Sequence, residues 1–174
     1  MSSKSKESLG APISSFEELT SYFESEDKTP APTQDSDVEF LTRSQLSQQL
    51  FARAQESLLI GKTSADLIEI VEETFSTLDA VIANPKNAQI RSKQYGKYSS
   101  LWVAMGDKPF IINSITECIR ERGYTLHALL HPIVIHHGFR LSVSYIELPP
   151  ISDDELQLLE RMLQETMSCL KTVT

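Results

Sequence analysis

The chain has 174 residues, of which 40% are hydrophobic and 23% are charged, and its formal net charge is −8 at neutral pH. This length suits one globular domain with additional segments and is too short for a two-domain cofactor enzyme. No stretch approaches the roughly 20 apolar residues of a membrane helix, and the acidic balance disfavours a nucleic-acid binder, so we expect a cytoplasmic protein that binds neither membranes nor nucleic acids.

The first segment, residues 1–38, is rich in Ser, Glu, Asp, Thr and Pro, and its three lysines against eight acidic residues contribute −5 to the net charge. Such a composition cannot bury enough apolar surface to fold, so we predict a disordered acidic tail. Within it, Phe16, Leu19, Tyr22 and Phe23 recur at spacings of three and four, which is typical of an amphipathic helix. We expect a transient helix, with docking on a partner or on this chain's own domain as the alternative.

A helical extension is predicted over residues 39–84. Its first helix covers about residues 43–57, and its second begins behind the capping residue Thr63. The second helix carries a continuous apolar stripe and ends at Asn84-Pro85, because the residue before proline is disfavoured in helical conformation.

Residues 85–174 are predicted to form the main domain, in the order strand, strand, helix, strand, strand, helix. Pro109 opens the first helix and Gly123 ends it, and an S-x-x-E capping box at Ser152 opens the second. The predicted strands cover residues 88–95, 99–105, 125–137 and 140–148.

This order predicts an α+β fold of the ferredoxin-like sandwich type, with a four-stranded antiparallel sheet and two helices on one face. No strand is expected after the last helix, so we predict that strand 88–95 takes the edge position beside strand 99–105. The expected strand order is then 88–95, 99–105, 140–148, 125–137.

Two motifs in the main domain resemble a known family. The run D-K-P-F-I-I-N-S from Asp107, followed by G-Y-T-L-H-A-L-L-H-P from Gly123, is similar to the D-x-P-F-L-V-D-S and G-x-x-I-H-x-x-x-H-P patterns of the N-terminal ACT-like region of the large NAD-dependent glutamate dehydrogenases. Asn113 replaces the second acidic residue of the first pattern. The resemblance covers about residues 45–172.

The resemblance implies a free-standing ACT-like regulatory domain, because the dehydrogenase domain of that family would lie far downstream. No G-x-G-x-x-G can be built from the glycines present, so we expect a non-enzymatic chain without a cofactor. We expect it to act by self-association as a homodimer, with the edge at residues 125–137 as a route, or by binding a partner protein. The alternative is a small-molecule sensor, with an effector such as an amino acid bound at residues 106–113.

The candidate effector site follows from the D-x-P-G loop of amino-acid-sensing ACT domains. Phe110 stands where that loop has glycine and is expected to obstruct or reshape the pocket, while the Asp107 carboxylate repels an anionic effector and Lys108 partly offsets this. A structural role for Asp107 in the turn is the alternative. The candidate effector-binding residues are Asp107, Lys108, Phe110, Asn113, His127 and His131.

The four histidines raise the question of a metal site. His127 and His131 lie four residues apart on a strand, roughly 13 Å between Cα atoms, too far to share one zinc without a bend. His136 and His137 precede Gly138 and are expected to be solvated turn residues, so we predict no metal. The two cysteines lie in apolar helical patterns and are predicted to be buried free thiols.

Overall fold

The computed structural model describes residues 15–27 and 41–170 and contains, within them, an antiparallel sheet with helices on both faces. The elements follow in this order: α1 (Phe16–Glu26), α2 (Arg43–Phe51), a 3₁₀ helix (Glu56–Leu59), α3 (Ser64–Ala83), β1 (Gln89–Gln94), β2 (Ser99–Gly106), α4 (Ile111–Glu121), β3 (Ala128–Leu130), β4 (Ile133–His136), β5 (Phe139–Leu148) and α5 (Asp153–Ser168).

The sheet has the strand order β1-β2-β5-β3, with β4 paired to the other end of β5, and every pair is antiparallel. This confirms the predicted fold and strand order. β3 and β4 together occupy the position predicted for one strand over residues 125–137. Pro132 separates them because it has no N–H to donate to the ladder, and its carbonyl instead accepts a hydrogen bond from the Val143 N–H at 3.2 Å.

One face of the sheet is covered by α4 and α5, as the predicted sandwich requires. The apolar side chains that alternate along β2 and β5 point to this face and pack against the inner sides of both helices. The central members of this core are Leu101, Val103, Ile146 and Leu148 from the sheet, Ile115 and Ile119 from α4, and Leu159 and Leu163 from α5.

The opposite face is covered by α3, so the sheet is buried on both sides. Trp102, Val143 and Tyr145 belong to the core on this face together with the apolar stripe of α3. The Trp102 indole N–H donates to the Thr74 hydroxyl oxygen at 3.1 Å, and that hydroxyl donates to a helix carbonyl. Burial on two faces explains why every residue from Ser99 to Met105 in β2 and from Leu141 to Leu148 in β5 is buried, polar residues included.

Helix α1 packs against α2. Leu19 and Phe23 are buried, and the Phe16 ring stacks on the Phe51 ring with centroids 4.7 Å apart. The expectation of a disordered tail with a transient helix is therefore wrong for residues 16–26, where docking on this chain's own domain is observed. The rest of the predicted tail, residues 1–14 and 28–38, lies outside the described residues.

Helix boundaries follow capping chemistry in most places. Thr42 and Thr63 each accept a hydrogen bond from the backbone of the third helical residue in a reciprocal capping box. The predicted helix over residues 43–57 ends at Phe51, and a separate 3₁₀ turn follows. The helix predicted to open at Pro109 begins instead at Ile111, because Phe110 adopts a left-handed conformation.

The last helix, α5, begins with one of the two hydrogen bonds of the predicted capping box. The Ser152 hydroxyl accepts from the Glu155 N–H at 3.3 Å, whereas the Glu155 carboxylate binds Arg122 and Tyr124. Among the described residues, no helix is both long enough and apolar enough to cross a membrane.

Candidate functional site

The loop between β2 and α4, predicted to hold an effector, is tied to other parts of the fold by its charged residues. The Asp107 carboxylate accepts a hydrogen bond from Arg140 Nε at 2.9 Å, and the Asp107 N–H donates to the Arg140 carbonyl at 3.1 Å. Lys108 Nζ donates to the Leu170 carbonyl at 3.2 Å. Asp107 thus joins the loop to β5, and Lys108 joins it to the residues that follow α5.

Phe110 occupies the position of the glycine in the D-x-P-G loop and adopts a backbone conformation that favours glycine, with φ 68° and ψ 11°. Its phenyl ring is 64% exposed, so it does not fill a cavity in this loop. Asn113 lies on the exposed side of α4, beside Thr116 and Arg120 in an open depression. The loop thus carries an exposed aromatic side chain at a residue whose backbone conformation favours glycine.

His127 and His131, the other two candidate residues, lie on either side of β3 and line two adjoining grooves. The first groove has a volume of about 540 Å³ and separates the segment after α2 from the segment that leads into β3. Its polar lining includes Arg53, Arg120 and His127. The second, of about 400 Å³, is lined by His131 and shares Arg53 with the first. Neither groove is lined by any of residues 106–113, so the predicted site residues do not form one site.

The first groove has the size of a small-molecule site, since such sites commonly enclose about 300–1,000 Å³. Two guanidinium groups and an imidazole offer several N–H donors to a carboxylate or phosphate. The sequence places Arg120 in the last turn of an amphipathic helix. No sequence pattern links it to Arg53, because the two residues are 67 positions apart.

A buried polar network lies between α3 and the sheet, and sequence reasoning missed it. Lys62 Nζ lies 2.9 Å from Glu147 Oε1 and donates to the Leu58 carbonyl at 2.8 Å. The Tyr145 hydroxyl donates to the other Glu147 oxygen and lies 2.9 Å from the Ser100 hydroxyl. The available signal was Glu147 itself, the one carboxylate in β5, which stands between Ile146 and Leu148.

This network keeps its tyrosine protonated. Burial is the main cause that raises the pKa of Tyr145 above its ordinary value, and the negative charge of Glu147 adds to it. The pKa of Tyr98, whose ring lies 4.7 Å from Lys62 Nζ, is raised for the same two reasons. The Tyr145 hydroxyl therefore acts as a neutral donor that helps to hold the Glu147 carboxylate in the core.

His136 is buried, contrary to the prediction of a solvated turn residue. Its side chain is 2% exposed, and its Nε2 lies 2.7 Å from Asp79 Oδ1 on α3. The ring packs edge-on against Phe75 of the same helix at 5.1 Å between centroids. The prediction was wrong because the turn folds back on α3, which lies more than 50 residues earlier in the chain. His137 is half-buried, with φ 49°.

The two cysteines differ from each other. Cys118 is buried as predicted, and burial raises the pKa of its thiol, so the thiolate that nucleophilic chemistry requires is disfavoured. Cys169 is exposed, contrary to the prediction, because it lies in the C-terminal cap of α5, past the last buried turn.

Comparison with known proteins agrees with the motifs and the sheet topology. No curated protein matches the sequence significantly. Residues 46–138 match the sequence model of a family described as glutamate dehydrogenase, ACT1 domain, and this match extends from α2 to the β4–β5 turn. It covers both motifs and more than half of the chain. The protein therefore belongs to the glutamate dehydrogenase ACT1 domain family.

Proposed function

We propose that this chain is a regulatory interaction domain without catalytic activity of its own, and that it acts by pairing with a second copy along the β4 edge of its sheet. The observation that carries the proposal is the composition of β4. Ile133 and Ile135 are 47% and 38% exposed on this strand, and β4 has no charged residue. Within the described residues, β4 pairs with β5 alone.

Strand edges in natural proteins are usually protected by charges, prolines or bulges, because an open edge presents unpaired N–H and C=O groups to other chains. Pro132 lies just before β4, and residues 133–136 themselves contain neither a charged residue nor a proline. Arg140 lies opposite Ile135 in the ladder, and its charge is matched by Asp107. A second β4 strand can therefore approach in antiparallel orientation without repulsion between like charges.

Pairing of β4 with β4 is self-complementary, as a twofold dimer requires, since the same residues lie on both sides of the axis. Each copy contributes Ile133 and Ile135 to one face of the joined sheets, where cross-strand β-branched pairs contribute about 0.2–1 kcal/mol each. We include in this proposal the organisation expected from the sequence, a helical extension (39–84) and an ACT-like unit (85–174), with α1 of the first segment (1–38) docked on the extension. The extension and the ACT-like unit share one hydrophobic core, so we expect them to unfold together.

Sedimentation of the untagged full chain tests the proposal. We expect a monomer–dimer equilibrium around micromolar concentration, which corresponds to an association free energy of about −8 kcal/mol. Ile135→Lys places a charge on the pairing edge and is expected to give a monomer. Ile60→Lys is the matched control, because Ile60 is 78% exposed and lies in the loop before α3. A wild-type chain that stays monomeric at all concentrations, or equal effects of the two variants, would contradict the proposal.

A second candidate function, the sensing of a small anionic molecule such as an amino acid, is supported by the groove that Arg53, Arg120 and His127 line. The proposal places the effector in this groove and not at residues 106–113. A ligand at 100 times its dissociation constant adds about 2.7 kcal/mol to stability, which a thermal-shift panel of amino acids and nucleotides detects. We expect Arg53→Ala to abolish any such shift and Arg161→Ala, on the exposed side of α5, to leave it unchanged. A panel without a shift removes this candidate.

A further inference from the structure

A cluster of three potential metal ligands lies where the β4–β5 turn meets α3. Asp79, His136 and His137 each offer one ligand atom, and these atoms lie within 4.8 Å of one another. The ligands come from a helix and from a turn that is more than 50 residues away in the chain. Neither the pairing edge nor the basic groove uses these three side chains.

The orientation of the His136 ring decides which of its nitrogens can bind an ion. Its ring is almost fully buried, and its Nδ1 has no hydrogen-bond partner among the described residues. The other ring nitrogen, Nε2, faces the Asp79 carboxylate, which is exposed on one side to solvent. The ring therefore directs a nitrogen towards a place that an ion can enter.

We infer that Asp79, His136 and His137 bind a divalent first-row transition-metal ion, for which Zn²⁺ is the probe. Imidazole nitrogens and carboxylate oxygens are both common ligands of zinc, and three protein ligands leave the fourth position for water. The inference does not depend on pairing along β4.

The required rearrangement is small. Ligand atoms that lie about 2.0–2.2 Å from a tetrahedral ion are roughly 3.3–3.6 Å apart. The Asp79 oxygen therefore moves slightly away from His136 Nε2, and the ligand atoms that are farther apart than this move closer together. The proton that lies between Nε2 and the carboxylate is displaced, and the neutral ring then carries its proton on Nδ1. The bound ion joins the β4–β5 turn to α3.

The test uses the full chain without an affinity tag, treated with a chelator and then titrated with Zn²⁺ by calorimetry. We expect one ion per chain and a higher midpoint of thermal unfolding in its presence. Asp79→Asn and His137→Asn remove one ligand each from positions that are not in the core, so both variants are expected to fold. Each substitution should weaken Zn²⁺ binding at least about tenfold. Replacing even a residue that only hydrogen-bonds to a metal ligand typically lowers metal affinity 10–100-fold.

His131→Asn is the matched control for adventitious binding, because His131 is an exposed histidine beyond the other end of β4. Its affinity for Zn²⁺ is expected to equal that of the wild-type chain. Circular dichroism of each variant establishes that it is folded before titration. The assignment is overturned if the wild-type chain does not bind Zn²⁺ with a dissociation constant of about 100 μM or lower, which corresponds to a binding free energy near −5.5 kcal/mol. It is equally overturned if either folded ligand variant binds as tightly as the wild type, or if the control loses affinity as they do.

Discussion

The buried ion pair between Lys62 and Glu147 allows the sharpest prediction about stability. The two side chains are only 5% and 7% exposed, and the Lys62 ammonium is also bonded to the Leu58 carbonyl. Lys62→Met keeps the length of the side chain and removes the charge, which leaves the Glu147 carboxylate in the core with the Tyr145 hydroxyl as its remaining donor from this network. An uncompensated buried charge of this kind costs about 3–5 kcal/mol.

That loss is a large part of the 5–15 kcal/mol by which a typical domain is stable. With a urea dependence of about 2 kcal/mol per molar, the unfolding midpoint is expected to fall by roughly 1.5–2.5 M. Urea titration followed by circular dichroism and by the fluorescence of Trp102 measures it, because this indole lies in the core on the same face of the sheet.

The double variant Lys62→Met/Glu147→Leu separates the effect of the charges on stability from the effect of side-chain packing. Replacement of both charges by apolar groups is often neutral or stabilising, so the double variant is expected to be more stable than Lys62→Met. The exposed pair Arg122–Glu155 is the matched control, since loss of a solvent-screened surface pair changes stability little. A loss below about 1 kcal/mol for Lys62→Met, or a double variant less stable than this single variant, would refute the reasoning.

Three further predictions concern separate parts of the chain. Phe110→Gly relieves a left-handed strain of about 1–2 kcal/mol and adds an entropic cost of about 0.5–1 kcal/mol, so a net gain of about 0.5–1 kcal/mol is expected in urea unfolding. Phe110→Ala keeps the strain, and an equal gain from it would contradict this explanation. Hydrogen bonds from Arg122 and then Tyr124 hold the pKa of the Glu155 carboxyl below its ordinary value, so its contribution to stability is present at neutral pH and is lost as the pH falls through the folded-state pKa. In Arg122→Ala that pKa should rise, as carbon NMR of the carboxyl group measures, and an unchanged pKa would assign the shift to other groups. Phe23→Ala removes the buried ring of α1 and should cost about 3–5 kcal/mol or release the helix; proteolysis within α1 distinguishes these outcomes, and an unchanged chain would show that α1 does not pack as described.

The arrangement of the sheet was predictable because it depends on short-range signals. Gly96 joins the first two strands in a hairpin and Gly138 joins the last two, and both glycines have positive φ. The crossover helix between the hairpins then leaves few ways to arrange four strands. The break in the edge strand at Pro132 was also foreseeable from the missing N–H of proline.

The docking of α1 was less predictable, although its apolar spacing was recognised. Phe16, Leu19 and Phe23 form the same pattern whether the helix lies in a tail or against a domain. The choice depends on whether α2 offers a matching surface, and Phe51 does so through its stacked ring. Composition alone favoured disorder because the charges on either side of the helix outnumber its apolar residues.

The sequence by itself determined the family, through two motifs with defined spacing, and the order of strands, through hairpins and a crossover. It could not determine that His136 is buried against Asp79, that Lys62 reaches Glu147, or that Arg53 and Arg120 line one groove. Each of these pairs is separated by more than 50 positions, and their contacts exist only because α3 and the segment before it pack on the sheet. Periodicity and turn chemistry report on neighbours in the chain, whereas the desolvation and pairing of charged groups depend on elements that meet only when the chain is folded.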